Sequence, residues 1–158
     1  GAQVLGLTLE GKMAYLNKFQ IQAGATLQQS HYSEPHVWNK EAPAVKKMMR
    51  TPNTYGYFTA TYTPIKPLSI ALSGTYTGSM LVPHEPITVN TEDFFDIALK
   101  AAYDFKLYKS MNLQVNAGIQ NIFNAYQNDF DKGADRDSGY IYGPSLPRSF
   151  FAGVKISY

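Results

Sequence analysis

A side-chain period of two, held over segments of about ten residues, limits this chain to long strands with two unlike faces. From Met111 to Gln120, the residues Met111, Leu113, Val115, Ala117 and Ile119 alternate with Asn112, Gln114, Asn116, Gly118 and Gln120. Successive side chains of a strand point to opposite faces, so one face here is apolar and the other carries amides. Between Thr91 and Phe105, the residues Phe95, Ile97, Leu99, Ala101, Tyr103 and Phe105 alternate with Phe94, Asp96, Ala98, Lys100, Ala102 and Asp104. Leu68, Ile70, Leu72 and Tyr76 alternate with Ser69, Ala71, Ser73, Thr75 and Thr77, with Gly74 and Gly78 on the apolar side. The same form recurs at Phe150–Tyr158, Leu5–Tyr15 and Phe19–Gln28, and less cleanly at Tyr55–Thr63, where Phe58, Ala60 and Tyr62 make the apolar face. No segment has the 3.6-residue period of a helix.

The connections between these seven segments alternate in length. Short turns are expected around Asn17, from Thr63 to Leu68 with its two prolines, and from Leu107 to Ser110. Long connections are expected from Tyr32 to Pro52, Leu81 to Asn90, and Ile122 to Pro147. Consecutive antiparallel strands joined in this way form a meander with every short turn on one rim and every long loop on the other.

Length then separates the possible architectures. Strands of soluble sheets are mostly about five or six residues long, whereas a tilted strand that crosses a bilayer needs about 9 to 11. The alternating segments suggest ten to fifteen. A transmembrane barrel also calls for an apolar outside, a polar lumen, aromatic girdles and long loops on one side only. Ser69, Ser73, Thr75, Thr77, Asn112, Gln114 and Asn116 supply a lumen wall of hydroxyls and amides, and Tyr15, Phe19, Tyr103, Phe105 and Tyr158 lie at the short-turn ends as a girdle would. Aromatics make up 14% of the chain and charged residues only 16%, against roughly 25% in soluble domains. The alternative is a soluble β-sandwich binding module whose apolar faces meet; long strands and a polar face poor in Lys and Glu argue against it. The expected fold is therefore all-β, an antiparallel meander of about seven long strands forming part of a transmembrane barrel. An odd strand count leaves an unpaired edge in lipid, and the first strand starts directly after Gly1, so 1–158 is expected to be one piece of a larger barrel.

The last forty or so residues resemble a known family. Asn121-Ile122-Phe123-Asn124-Ala125-Tyr126, followed by a long loop and a terminal amphipathic strand ending on an aromatic, resembles the C-terminus of TonB-dependent outer-membrane receptors. Asp129-Phe130-Asp131-Lys132-Gly133, Tyr140-Ile141-Tyr142-Gly143-Pro144 and Pro147-Arg148 resemble the form found in Bacteroidetes. The resemblance implies a 22-stranded barrel of the plugged transporter type, of which this chain supplies the last seven strands. It implies uptake of a siderophore, cobalamin or similar bulky nutrient, with energy from TonB acting through an N-terminal part. It further implies outer-membrane lipid around the barrel, and Tyr158 as the C-terminal signal read by the barrel-assembly machinery. The other functional reading is a non-transporting outer-membrane binding or adhesion protein whose loops do the work.

The remaining chemistry is sparse. With no Cys, disulfides, thiolate metal sites and cysteine nucleophiles are excluded; with a net charge of +2 and no basic run, nucleic acid is not an expected partner. Ser, His and Asp show no spacing that suggests a catalytic set, so no enzyme and no cofactor are expected. His31, His36 and His84 fall in or beside long loops. There His31, His36 and Trp38 are candidates for gripping a ligand, with Met48 and Met49 nearby; haem iron, which takes His and Met axially, is a minor reading. Tyr126, Tyr140 and Tyr142 offer rigid amphipathic surfaces for a ligand. Arg148 can contact an anionic ligand, although pairing with a loop aspartate is the favoured expectation. Asp129, Asp131, Asp135 and Asp137 crowd into one stretch with Gly133, so Asp129, Asp131 and Asp135 are candidate ligands for a hard cation. Their spacing is not that of an EF-hand, and Lys132 and Arg136 offset their charge. A solvated, salt-bridged loop is the competing reading.

Overall fold

A computed structural model of the chain describes residues 1–108, 110–144 and 146–158, so Lys109 in the third short turn and Ser145 in the last long connection lie outside the described residues. Among the described residues ten strands follow in order: β1 (Ala2–Tyr15), β2 (Phe19–His36), β3 (Val45–Lys47), β4 (Thr54–Ile65), β5 (Leu68–Thr77), β6 (Leu81–His84), β7 (Ile87–Asn90), β8 (Phe94–Lys106), β9 (Asn112–Gln120) and β10 (Ser149–Ser157). No helix occurs among the described residues. The seven long strands make one antiparallel sheet in the order β1-β2-β4-β5-β8-β9-β10, with β3 added beside β2 and β6-β7 standing apart as a hairpin.

Register carries the two-faced pattern across the whole sheet. Met13, Ile21, Ala60, Leu72, Leu99, Ile119 and Phe150 stand side by side, one from each long strand. On the opposite face, Lys12, Gln22, Thr59, Ser73 and Ala98 form the neighbouring row from β1 to β8. A one-residue slip in any strand would throw its apolar set onto the polar face, so the pattern itself pins the register. Bulk is matched as well: Phe58 on the apolar face lies over Gly74, its partner across the strand pair, and Tyr57 on the polar face lies over Gly24. A side chain at either glycine would collide with the ring.

Among the described residues nothing packs over the apolar face as a second layer. Leu9 is 69% exposed, Phe150 74% and Val154 66%. Aromatics gather at both of its ends. Tyr15, Phe19 and Tyr62 are register partners at the short-turn end, where the rings of Tyr103 and Phe105 also meet at 4.6 Å. Toward the long-loop end, Phe95 lies 6.4 Å from both Phe58 and Phe123.

The buried core sits in the loops instead. Val82, Phe94, Tyr140 and Tyr142 form it, with Met80, Val89 and Ala125 packed against them. Phe94 opens β8 on the polar face, in the row of Thr77, Tyr55, Thr26 and Thr8, so the connections 78–93 and 121–148 fold over that face at the long-loop end. Every short turn lies at the opposite end, as the alternation of connection lengths implies.

Three details differ from the sequence reading. β2 runs to His36, so His31 and His36 lie on a strand and not in a loop, and its 18 residues exceed the expected maximum. β9 and β10, with nine residues each, fall just below the expected minimum. The long connections contain strands of their own, β3 and the β6-β7 hairpin. The third long connection is also bracketed: Asn121 and Asn124 take left-handed backbone angles (φ 49° and 55°), which asparagine tolerates better than most residues. The Asn121 amide donates to the carbonyls of Ala125 (2.9 Å) and Leu146 (2.8 Å) and accepts from the Ala125 N–H (2.8 Å), tying the start of the connection to its end.

Candidate functional site

The connection 121–148 builds a hollow of about 420 Å³ over the long-loop end of the sheet. Its walls include Tyr126, Phe130, Arg136, Tyr140, Ile141 and Tyr142. A loop this long needs internal hydrogen bonds to hold a shape, and a polar ladder provides them. The Gln127 side chain donates to the Tyr140 carbonyl (3.1 Å) and accepts from the Tyr142 N–H (2.9 Å). Tyr140 and Tyr142 then donate their hydroxyls to the two oxygens of Asp129, at 2.7 and 2.6 Å.

These contacts set the protonation chemistry. Partial burial pushes the Asp129 carboxyl up, but hydrogen bonds from the Tyr142 and Tyr140 phenols, the Gln127 side chain and the backbone together outweigh it and hold the group below the ordinary carboxylate range. Burial, together with donation to Asp129, raises the Tyr142 and Tyr140 phenols. Both remain neutral donors at any physiological pH. Asp137 is held low chiefly by the N–H groups of Glu85 and Gly139.

Two other loops press on this wall from outside. The His84 ring, at the tip of the hairpin, stacks on Tyr140 at 3.7 Å with only 6° between the planes, and its Nε2 lies 3.1 Å from Asp131. Arg50, in the connection after β3, donates from Nη1 to the Ile141 carbonyl (2.8 Å) and from Nη2 to the Gly139 carbonyl.

The residues singled out from sequence are thus only partly brought together. Tyr126, Tyr140 and Tyr142 share the hollow. His36 and Trp38 form a separate aromatic group with Tyr32, their rings 4.6 Å apart, while His31 pairs in register with Lys47 of β3 and is not part of it. Arg148 does not pair with a loop aspartate: its Nε donates to the Ile122 carbonyl (2.8 Å) and its backbone N–H to the Asn124 side chain (2.9 Å), so it closes the neck of the loop. Among the described residues no three His, Asp or Glu side chains converge on a metal position. Asp129 serves the two phenols, and Asp131 faces His84 and accepts the Asp137 N–H (3.0 Å). Tyr158, beyond the last strand, is fully exposed. The sequence does not single out Arg50 or Gln127 and places His84 only in or beside a long loop, because the partners of Arg50 and His84 lie far away in sequence and those of Gln127 are backbone groups.

No protein-family model matches the chain, and no curated protein matches it. Among solved structures, the fold is similar to that of the ferric-catecholate import receptor Fiu of E. coli K12 in its closed form, with a TM-score of 0.70 and 19% identity over 97% of this chain. The chain spans 20% of that receptor's length. The likeness is one of fold, an antiparallel sheet of long strands.

Proposed function

We propose that the chain is the C-terminal barrel segment of a TonB-dependent outer-membrane receptor, of the Bacteroidetes kind, that takes up a siderophore, cobalamin or similarly bulky nutrient. The observation that carries this reading is the seven-strand apolar row from Met13 to Phe150, left uncovered between two aromatic belts. Burying one large apolar side chain is worth roughly 1.5 to 3 kcal/mol, so a face of this extent calls for an apolar solvent. Phe95 and Phe105 mark the two belts on β8. At about 3.3 Å per residue and a tilt near 40°, their separation spans about 25 Å, the height of an outer-membrane apolar band.

In this setting the short turns face the periplasm and the long loops face outward, where the 121–148 hollow and the Tyr32, His36 and Trp38 rings meet the ligand. TonB acts through a part of the receptor outside this chain, and Tyr158 is offered to the assembly machinery. The test is growth of a strain lacking the gene on a panel of ferric siderophores or cobalamin, each as the sole source of its nutrient. Loss of growth on one compound, restored by the intact gene and not by a copy defective in TonB coupling, is the expected outcome. Growth unaffected on every compound, with ligand still bound at the cell surface, would favour the adhesion reading.

A further inference from the structure

We propose that Arg50 is a positioning residue that joins the three long loops into one unit, so that the wall of the 121–148 hollow cannot move without the other two. Arg50 touches all three. It belongs to the connection between β3 and β4, its backbone N–H donates to the Leu81 carbonyl of the hairpin at 2.8 Å, and its guanidinium forks onto the carbonyls of Gly139 and Ile141. Those two carbonyls flank Tyr140, the residue whose ring carries His84 and whose hydroxyl holds Asp129. A planar fork with several fixed donors suits two nearby carbonyls in a way that the single ammonium of lysine does not.

The backbone at Arg50 shows that this arrangement is imposed. Its φ of 54° lies in the left-handed region, which a long unbranched side chain rarely adopts without surrounding contacts to hold it there. Independent ties reinforce the same unit. Glu85 donates its N–H to Asp137 (3.2 Å), and the Asn39 amide donates to the Ile87 carbonyl (2.5 Å), linking the first connection to the hairpin a second time. The loops are thus cross-braced through side chains and backbone, and closure of one over a ligand would carry the others with it.

This inference deepens the uptake reading, but it is tested on loop motion alone and so is independent of what is transported. The experiment is amide hydrogen exchange, read by mass spectrometry, on the full chain folded in detergent micelles, with Arg50→Ala, Arg50→Lys and His84→Ala beside the parent. Cooperative local opening of such a unit would speed exchange by about tenfold in residues 81–90 and 137–142 together in Arg50→Ala, and Arg50→Lys would not rescue it. His84→Ala would loosen residues 46–53 as well, although the polar and ring partners of His84 are Asp131 and Tyr140. Unchanged exchange in β5, β8 and β9 serves as the folding control. Should Arg50→Ala fail that control, the His84→Ala arm alone decides the matter. Faster exchange confined to the segment that carries each substitution, or full rescue by lysine, overturns the proposal.

Discussion

Asp129 gathers two phenols, each of which donates its hydroxyl to one of its oxygens. Replacing it with alanine takes this acceptor from two buried tyrosines, and an unmet buried donor costs roughly 1 to 3 kcal/mol. Asp129→Ala should therefore melt the 121–148 hollow before the sheet, seen as loss of near-ultraviolet tyrosine dichroism while far-ultraviolet strand signal persists; Asp129→Asn, which keeps an acceptor oxygen, should do less. Acid should act in the same way. Because the Asp129 and Asp137 carboxyls are held low in the folded loop, their contribution is complete above the ordinary carboxylate range and fades as pH falls through their depressed values. The tyrosine signal should thus be flat at neutral pH and drop below about pH 4, and the drop should shrink in Asp129→Asn. The sequence revealed the tyrosines of this site, because Tyr126, Tyr140 and Tyr142 are conspicuous in one loop. It hid Arg50 and the true place of His84, because a guanidinium that forks onto backbone carbonyls leaves no trace in the identity of its partners. For the same reason Arg148 was misread: its partners are the Ile122 carbonyl and the Asn124 amide, not a carboxylate.

At the scale of the strand, the two faces should respond differently to the same change. Leu99 sits in the middle of the apolar row between Leu72 and Ile119, and Ser73, next to Leu72 on β5, points to the other face opposite Thr59 and Ala98. Leu99→Arg should lower stability in micelles by about 2 to 4 kcal/mol, the cost of a cation at mid-bilayer, whereas Ser73→Arg should cost about 1 kcal/mol or less. Urea titrations of the two variants, followed by heat-modifiable gel migration, compare them directly; equal costs would mean that both faces meet the same solvent. The seven long strands were legible because two unlike solvents impose period two for as long as the strand lies between them. The pattern fails where that contrast ends. Beyond Gln28, β2 continues through Ser30, Tyr32 and Glu34 with polar residues on both sides, and β3 and the β6-β7 hairpin are too short to show a period. These are the segments that carry no strand signal in the sequence.

The whole molecule has an inverted distribution of apolar surface, with a small core under the loops and a broad uncovered face on the sheet. Soluble monomers rarely expose contiguous apolar patches beyond a few hundred Å². The sheet also has two free edges, β1 and β10, each a row of unpaired backbone groups of the kind that drives edge-to-edge association. In water these two features act together, since copies can pair edges and bury apolar faces against one another. In micelles the apolar face is satisfied by detergent and only the edges remain. The 158-residue chain should accordingly form large associated species in buffer and smaller ones in detergent, with β-sheet dichroism in the micelles and a heat-dependent shift on gels. Sedimentation at several protein concentrations separates the two contributions: association through the apolar face should vanish as detergent rises above its critical concentration, whereas association through β1 and β10 should persist. A monomer that folds cooperatively in plain buffer would mean that the row from Met13 to Phe150 is covered by protein, and the lipid-facing assignment would fall with it.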